Sequence, residues 1–148
     1  MPLKIATWNI NSVRIRIPQL KKLAEASKAD IICLQETKTE DATFPLDAIK
    51  SVGFPYVYFT GQKSYNGMAI LSKFELTNVS HITLANSLDK RHICATLPDG
   101  TVLHNFYVPA GGDIRTELIF QVAILSGIRR YISTFAADDN KDIRHPEP

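Results

Sequence analysis

Two polar residues close two apolar, strand-like runs. Asn9 ends Leu3-Lys4-Ile5-Ala6-Thr7-Trp8-Asn9, and Glu36 ends Asp30-Ile31-Ile32-Cys33-Leu34-Gln35-Glu36. If the two strands are parallel neighbours, both side chains leave the sheet at one carboxyl edge, where open α/β sheets bind ligands. A carboxylate beside an amide carbonyl, with room for water, is a hard-oxygen set suited to Mg²⁺ or Mn²⁺. On spacing alone the plainer account is favoured: a solvated Glu before a turn and an Asn at a strand end.

The elements that must position this pair are legible from pattern. Pro18 fits the first turn of a helix, where its missing N–H costs nothing. That helix turns Leu20, Leu23 and Ala24 inward and Lys21, Lys22 and Glu25 outward. Four consecutive apolar residues, Ile31 to Leu34, predict a strand buried on both faces. A short helix from Leu46 to Val52 stops at Gly53 and Pro55. Strands are expected at Tyr56–Thr60, Met68–Ser72, Val79–Leu84, His92–Leu97 and Val102–Val108, with Pro98-Asp99-Gly100 as a tight hairpin turn. The order is βαβα followed by antiparallel strands. Asp113 caps a further helix running to Phe135, and the end from Asp138 is polar and frayed.

Composition sets the class without choosing the function. The chain has 148 residues, 45% hydrophobic, with a net charge of +2. One domain is expected at this length. Binding to nucleic acid would need a local basic patch rather than a basic total. The opening residues carry no secretory signal, and the longest apolar stretch, Leu118 to Ile128, is too short to span a bilayer. Cys33 and Cys94 lie in apolar runs without a CxxC partner, which reads as two buried small hydrophobes in a reducing cytoplasm, a disulfide being the lesser alternative.

The words around the two polar residues change the balance. Thr7-Trp8-Asn9-Ile10-Asn11 resembles the opening motif of the endonuclease/exonuclease/phosphatase superfamily, and Leu34-Gln35-Glu36-Thr37-Lys38 its Q-E-T/S motif. Gly61-Gln62-Lys63, with Gly67-Met68-Ala69-Ile70-Leu71-Ser72, is similar to a stretch of the exonuclease III (apurinic-apyrimidinic endonuclease) branch. So is Asn105-Phe106-Tyr107-Val108-Pro109-Ala110-Gly111-Gly112-Asp113. The resemblance covers residues 3–113 and implies a DNase I-like α/β fold, a four-layer α-β-β-α sandwich. It implies metal-dependent phosphodiester hydrolysis in DNA repair, at 3′ ends and abasic sites of double-stranded DNA. Carried over, Glu36 and Asn9 would hold Mg²⁺ or Mn²⁺, and Tyr107 would stand at the scissile phosphate. Lys38, Lys63 and Arg91 would meet the DNA backbone, with Arg14 and Arg16 less supported. Such contacts position a protein without reading sequence. No role falls to His81, His92, His104 or His145, and no membrane or obligate protein partner is expected.

The same resemblance asks for later motifs. No S-D-H occurs, and Ala137-Asp138-Asp139-Asn140 is a poor counterpart of G-D-x-N. The expected organisation is therefore an N-terminal part of a nuclease domain, residues 1–113, and a divergent helical and frayed tail, residues 114–148. The sandwich would be incomplete, either through a frame shifted near Asp113 or through deliberate shortening. The alternatives to a nuclease are an inactive or weakly DNA-binding remnant and a phosphatase acting on a small phosphorylated substrate.

Overall fold

A computed structural model of the chain describes residues 2–84 and 87–109. The chain separates into two compact units, one made of Met1–Thr83 and Leu88–Tyr107, the other of Leu84–Ser87 and Val108–Pro148. The elements below belong to the first. They are β1 (Ile5–Asn9), α1 (Ile17–Ser27), β2 (Ile31–Gln35), α2 (Leu46–Ser51), β3 (Tyr56–Thr60), β4 (Met68–Ser72), β5 (Thr77–Ser80), β6 (His92–Thr96) and β7 (Val102–Phe106). Short 3₁₀ turns occupy Val13–Ile15 and Asp41–Thr43.

Two sheets result, one in the order β1-β2-β4-β3 and one in the order β5-β6-β7. β1 and β2 are parallel, joined by the crossover through α1, and every other pairing is antiparallel. All five residues of β2 are buried, as the continuous apolar run predicts. Alternation along β2 and β4 divides their side chains between two cores. Ile32, Leu34, Ala69 and Leu71 face Leu20 of α1 and Ile49 of α2, together with Phe44 and Phe54. Ile31, Cys33, Met68 and Ile70 face the second sheet, against Ile93, Ala95 and Leu97. Each fully buried Ile or Leu stabilises the fold by about 1.5–3 kcal/mol relative to exposure. Helices, first sheet and second sheet thus form three layers.

Helix α1 begins at Ile17 with Pro18 in its first turn and ends on Lys28, which turns left-handed at φ 52°. The Pro98-Asp99-Gly100 hairpin closes with Leu97 N–H donating to Thr101 O at 2.8 Å. One strand departs from expectation. β5 lies at Thr77–Ser80 rather than Val79–Leu84, and its register against β6 shifts between Thr77 and Ser80. The N–H of Ile82 then donates to the His92 ring rather than to a strand. Hydrophobicity at Val79 and Ile82 suggested the later span, but a side chain captured the backbone donor that pairing would have used.

Both cysteines are free and buried, as expected. Burial pushes the Cys33 thiol up to about 11, leaving it an inert hydrophobe at neutral pH. Among the described residues no helix is long and apolar enough to cross a membrane. The helix expected from Asp113 to Phe135, and Asp138 and Asn140 with it, lie outside the described residues.

Candidate active site

The parallel pairing sets Asn9 beside Gln35, so Glu36 follows immediately past the end of β2. Beyond the strands the two segments stay joined. Ile10 N–H donates to Gln35 O at 3.0 Å, Ser12 N–H to Glu36 O at 2.9 Å and Val13 N–H to Thr37 O at 3.1 Å. Within this paired stretch Asn11, Glu36 and Lys38 take left-handed backbone angles, φ 46°, 55° and 53°. Such angles cost a non-glycine residue about 1–2 kcal/mol. Bonds from Thr37 N–H to Gly67 O (3.1 Å) and from Lys38 N–H to Asn66 O (2.9 Å) hold the strained turn in place. Gly67, at φ 91°, leaves no room for a Cβ, which would lie 2.1 Å from Thr37 Oγ1.

Across the gap between sheets, Tyr107 follows β7 and its N–H donates to Arg91 O at 2.8 Å. Its ring packs against the core between the sheets. Tyr107 and Asn9 turn side-chain donors toward Glu36, and Lys38 Nζ stands 3.5 Å from Glu36 Oε2. Burial raises the Glu36 carboxyl, but these donors and the lysine charge outweigh it, and the group is held below the usual carboxylate range. Tyr107 moves the other way. Burial and the bond to an anionic Glu36 raise its phenol, and Arg91 offsets only part of that. At neutral pH the pair is a carboxylate accepting from a protonated phenol.

Glu36, Lys38 and Tyr107 line an open cleft of about 400 Å³ together with Gln62, Asn66, Asp89 and Arg91. Gln62 Oε1 accepts from Lys90 N–H at 2.6 Å and its Nε2 donates to Asp89 Oδ1 at 3.4 Å. Asp89 Oδ2 in turn accepts from Arg91 Nε at 3.3 Å. Arg91 is 9% exposed and lies over the Tyr107 ring, 4.8 Å from its centroid. It is therefore a cleft-wall residue tied to its neighbours, not the solvated surface charge that an isolated reading would give it. Lys63 is exposed, and with Arg14 and Lys38 it lines a smaller hollow of about 120 Å³ beside the cleft. Arg16 donates its Nε to Asn11 O.

The structure thus brings Asn9, Glu36, Lys38, Arg91 and Tyr107 together and sets Lys63 just outside. Sequence reasoning passed over Gln35, Gln62, Asn66, Asp89 and Asn105. Gln35, Gln62 and Asn105 were letters of the quoted motifs without a role, whereas Asn66 and Asp89 carried no signal.

The donors fit a hard divalent cation. Glu36 is held ionised, and the Asn9 side chain beside it adds an amide oxygen that could meet a cation or its water. A second cluster fits less well. The ligand atoms of His92, Cys94 and His104 lie within 4.8 Å of one another. However, Ile82 N–H donates to His92 Nδ1, which puts the ring proton on Nε2, facing His104 Nδ1 at 3.1 Å. A proton already occupies the lone-pair direction that a metal would need.

Comparison with known proteins agrees with this geometry. The profile of the Endonuclease/Exonuclease/phosphatase family matches residues 6–146, a span that runs past Asp113. Exodeoxyribonuclease III of Haemophilus influenzae is 38% identical over 73 residues, covering 49% of this chain and 27% of that protein. An AP endonuclease structure from Archaeoglobus fulgidus superposes with a TM-score of 0.79 at 36% identity, over 90% of this chain and 52% of that one. A 3′ phosphatase from Neisseria bound to a product DNA hairpin gives 0.81 at 29% identity, over 92% of this chain and 53% of that one. The chain spans about half the length of these solved relatives. With two facing sheets, helices on the first and the cleft at the strand ends, it is an α/β protein of the DNase I-like class. The chain belongs to the endonuclease/exonuclease/phosphatase family.

Proposed function

We propose that this chain carries the metal-holding part of a divalent-cation-dependent phosphodiesterase acting on double-stranded DNA in repair, as a 3′–5′ exodeoxyribonuclease and abasic-site endonuclease. The observation that carries the reading is an ionised Glu36 sharing one polar cleft with Lys38, Arg91 and Tyr107. Relatives named exodeoxyribonuclease III, AP endonuclease and 3′ phosphatase support it.

Glu36 and Asn9 would hold Mg²⁺ or Mn²⁺ through oxygen. Bound there, the ion supplies Lewis-acid polarisation of a phosphoryl oxygen. The protein's own residues do the rest of what this cleft offers. Tyr107 keeps its proton and donates a hydrogen bond to a phosphate oxygen once substrate displaces Glu36 as its acceptor. Arg91 fixes the ring from above and presents positive charge to the same place. Lys38 and Lys63 take flanking phosphates, which positions duplex DNA at any sequence. The buried free cysteines favour a reducing, cytoplasmic setting.

A base to activate water is not offered by the described cleft residues, because Asp89 is paired with Arg91 and Tyr107 stays protonated. Lacking a base costs ~10²–10⁴-fold in rate. If residues 110–148 supply no base, the 148-residue chain nicks an abasic duplex negligibly in Mg²⁺. Joining it to the carboxyl-terminal half of a relative should restore nicking, and Glu36→Ala should remove it again. Robust nicking by the chain alone would overturn this account and turn attention to Asp138 and Asn140. A 3′-phosphorylated duplex and a small phosphate ester in the same assay separate the nuclease from a small-substrate phosphatase.

A further inference from the structure

Among the described residues, the apolar interface between the two sheets contains a buried amide pair. Asn105 on β7 is 3% exposed and Gln35 at the end of β2 is 9% exposed. Asn105 Nδ2 donates to Leu34 O and to Ala69 O, both at 3.0 Å. Those two residues stand opposite each other in the β2–β4 ladder, so one amide spans two strands of the facing sheet. Asn105 Oδ1 accepts from Gln35 Nε2 at 2.8 Å, and the same Nε2 donates to Thr7 Oγ1 of β1 at 2.9 Å. Both amide hydrogens of Asn105 and its carbonyl are therefore satisfied.

An amide pair in such a place needs a physical reason. Burying amides costs free energy unless every group is paired, and apolar residues of similar size would hold the sheets together at least as well. Apolar packing, however, lets two sheets slide, because it has no direction. Hydrogen bonds to fixed carbonyls do not. The positions are telling: Gln35 immediately precedes Glu36, and Asn105 lies two residues before Tyr107 on the same face of the strand.

We propose that Asn105 and Gln35 are positioning residues, locking the second sheet in the one register against the first at which Tyr107 and Glu36 line the same cleft. The idea rests on the reading of Glu36 and Tyr107 as partners in one site, and it deepens that reading by naming what sets their separation. Strand β7 is tied at Asn105 to β2 and β4, and through Gln35 to β1 and to the turn carrying Glu36. A slip of the second sheet would break at least three directional bonds at once.

The test uses the whole chain and two variants. Gln35→Leu removes the tie to the turn while sparing the two bonds from Asn105 to the main chain. Asn105→Leu removes all three. In the wild type, nuclear Overhauser contacts are expected between the Tyr107 ring protons and the Glu36 side-chain methylenes. In Gln35→Leu, where Asn105 keeps its two main-chain bonds, these contacts should weaken, and in Asn105→Leu they should be lost, while contacts across the β2–β4 ladder and a cooperative urea transition persist in both. If Asn105→Leu fails to fold, Gln35→Leu decides alone. Unchanged Tyr107–Glu36 contacts in a folded Gln35→Leu would overturn the proposal. Calorimetric titration with Mn²⁺ on wild type and Glu36→Ala is the separate arm. Equal binding by both would sink the metal reading and leave the positioning result standing on its own.

Discussion

The guanidinium of Arg91 lies 4.8 Å above the centroid of the Tyr107 ring while its Nε donates to Asp89 at 3.3 Å. One side chain thus braces the wall of the cleft and the phenol at its floor. Arg91→Ala should lower stability by about 1–2 kcal/mol, because it removes the cation beside a partly buried Asp89 and uncovers the ring. Urea unfolding at neutral pH measures this. A change within experimental error would mean that Arg91 is an ordinary surface charge.

Lys63 offers the contrast. It is exposed, so Lys63→Ala should leave the unfolding transition in place. If it meets a DNA phosphate, the salt dependence of duplex binding should flatten by about one unit of slope. Fluorescence anisotropy across a salt series reads this, and an unaltered slope would remove Lys63 from the interface.

Metal binding should depend on Glu36 and should be weak, since a carboxylate and an amide leave several waters on the ion. Calorimetry with Mn²⁺ should show binding to the wild type and none to Glu36→Ala. Glu36→Gly is the more informative companion. Because residue 36 sits at φ 55°, glycine relieves left-handed strain of about 1–2 kcal/mol, against its own entropic cost of roughly 0.5–1 kcal/mol. The glycine variant should therefore be no less stable than wild type while failing to bind Mn²⁺.

Gly67→Ala should damage the site from a distance. The backbone at φ 91° disfavours any Cβ, and the added carbon would fall 2.1 Å from Thr37 Oγ1, one residue after Glu36. Overpacking of this kind costs about 1–3 kcal/mol, and the left-handed angle adds about 1–2 kcal/mol. A lowered thermal midpoint together with weakened Mn²⁺ binding is expected. Wild-type values for both would show that the loop yields freely.

Acid should destabilise the fold through His92. Burial, then the charges of His104 and His81, push its ring down to about 4 from 6.5. The folded chain therefore binds that proton more weakly than the unfolded chain. Stability is unaffected above pH 6.5 and falls as pH drops from there toward 4, by at most about 3 kcal/mol. His104, Cys94 and the Ile82 N–H surround the ring. His92→Gln should flatten the dependence in a series of urea midpoints; an equally steep fall in that variant would assign it elsewhere.

Local pattern determined most of the elements. The apolar run Ile31–Leu34, the Pro18 helix start and the Pro98-Asp99-Gly100 turn each depend on neighbours a few residues away, and each stands where the pattern put it. The motif words singled out Asn9, Glu36 and Tyr107, because the proposed chemistry needs those residue types. What only tertiary structure decided is how they meet. The left-handed angle at Glu36 depends on bonds to Gly67 and Asn66 some thirty residues on. The burial of Arg91 depends on Asp89 and on a ring from another strand. β5 stopped early because His92 took the Ile82 N–H. The Asn105–Gln35 bond joins residues 70 apart. No local propensity encodes a hydrogen bond between two sheets, since its donor and acceptor become neighbours only after both cores have closed.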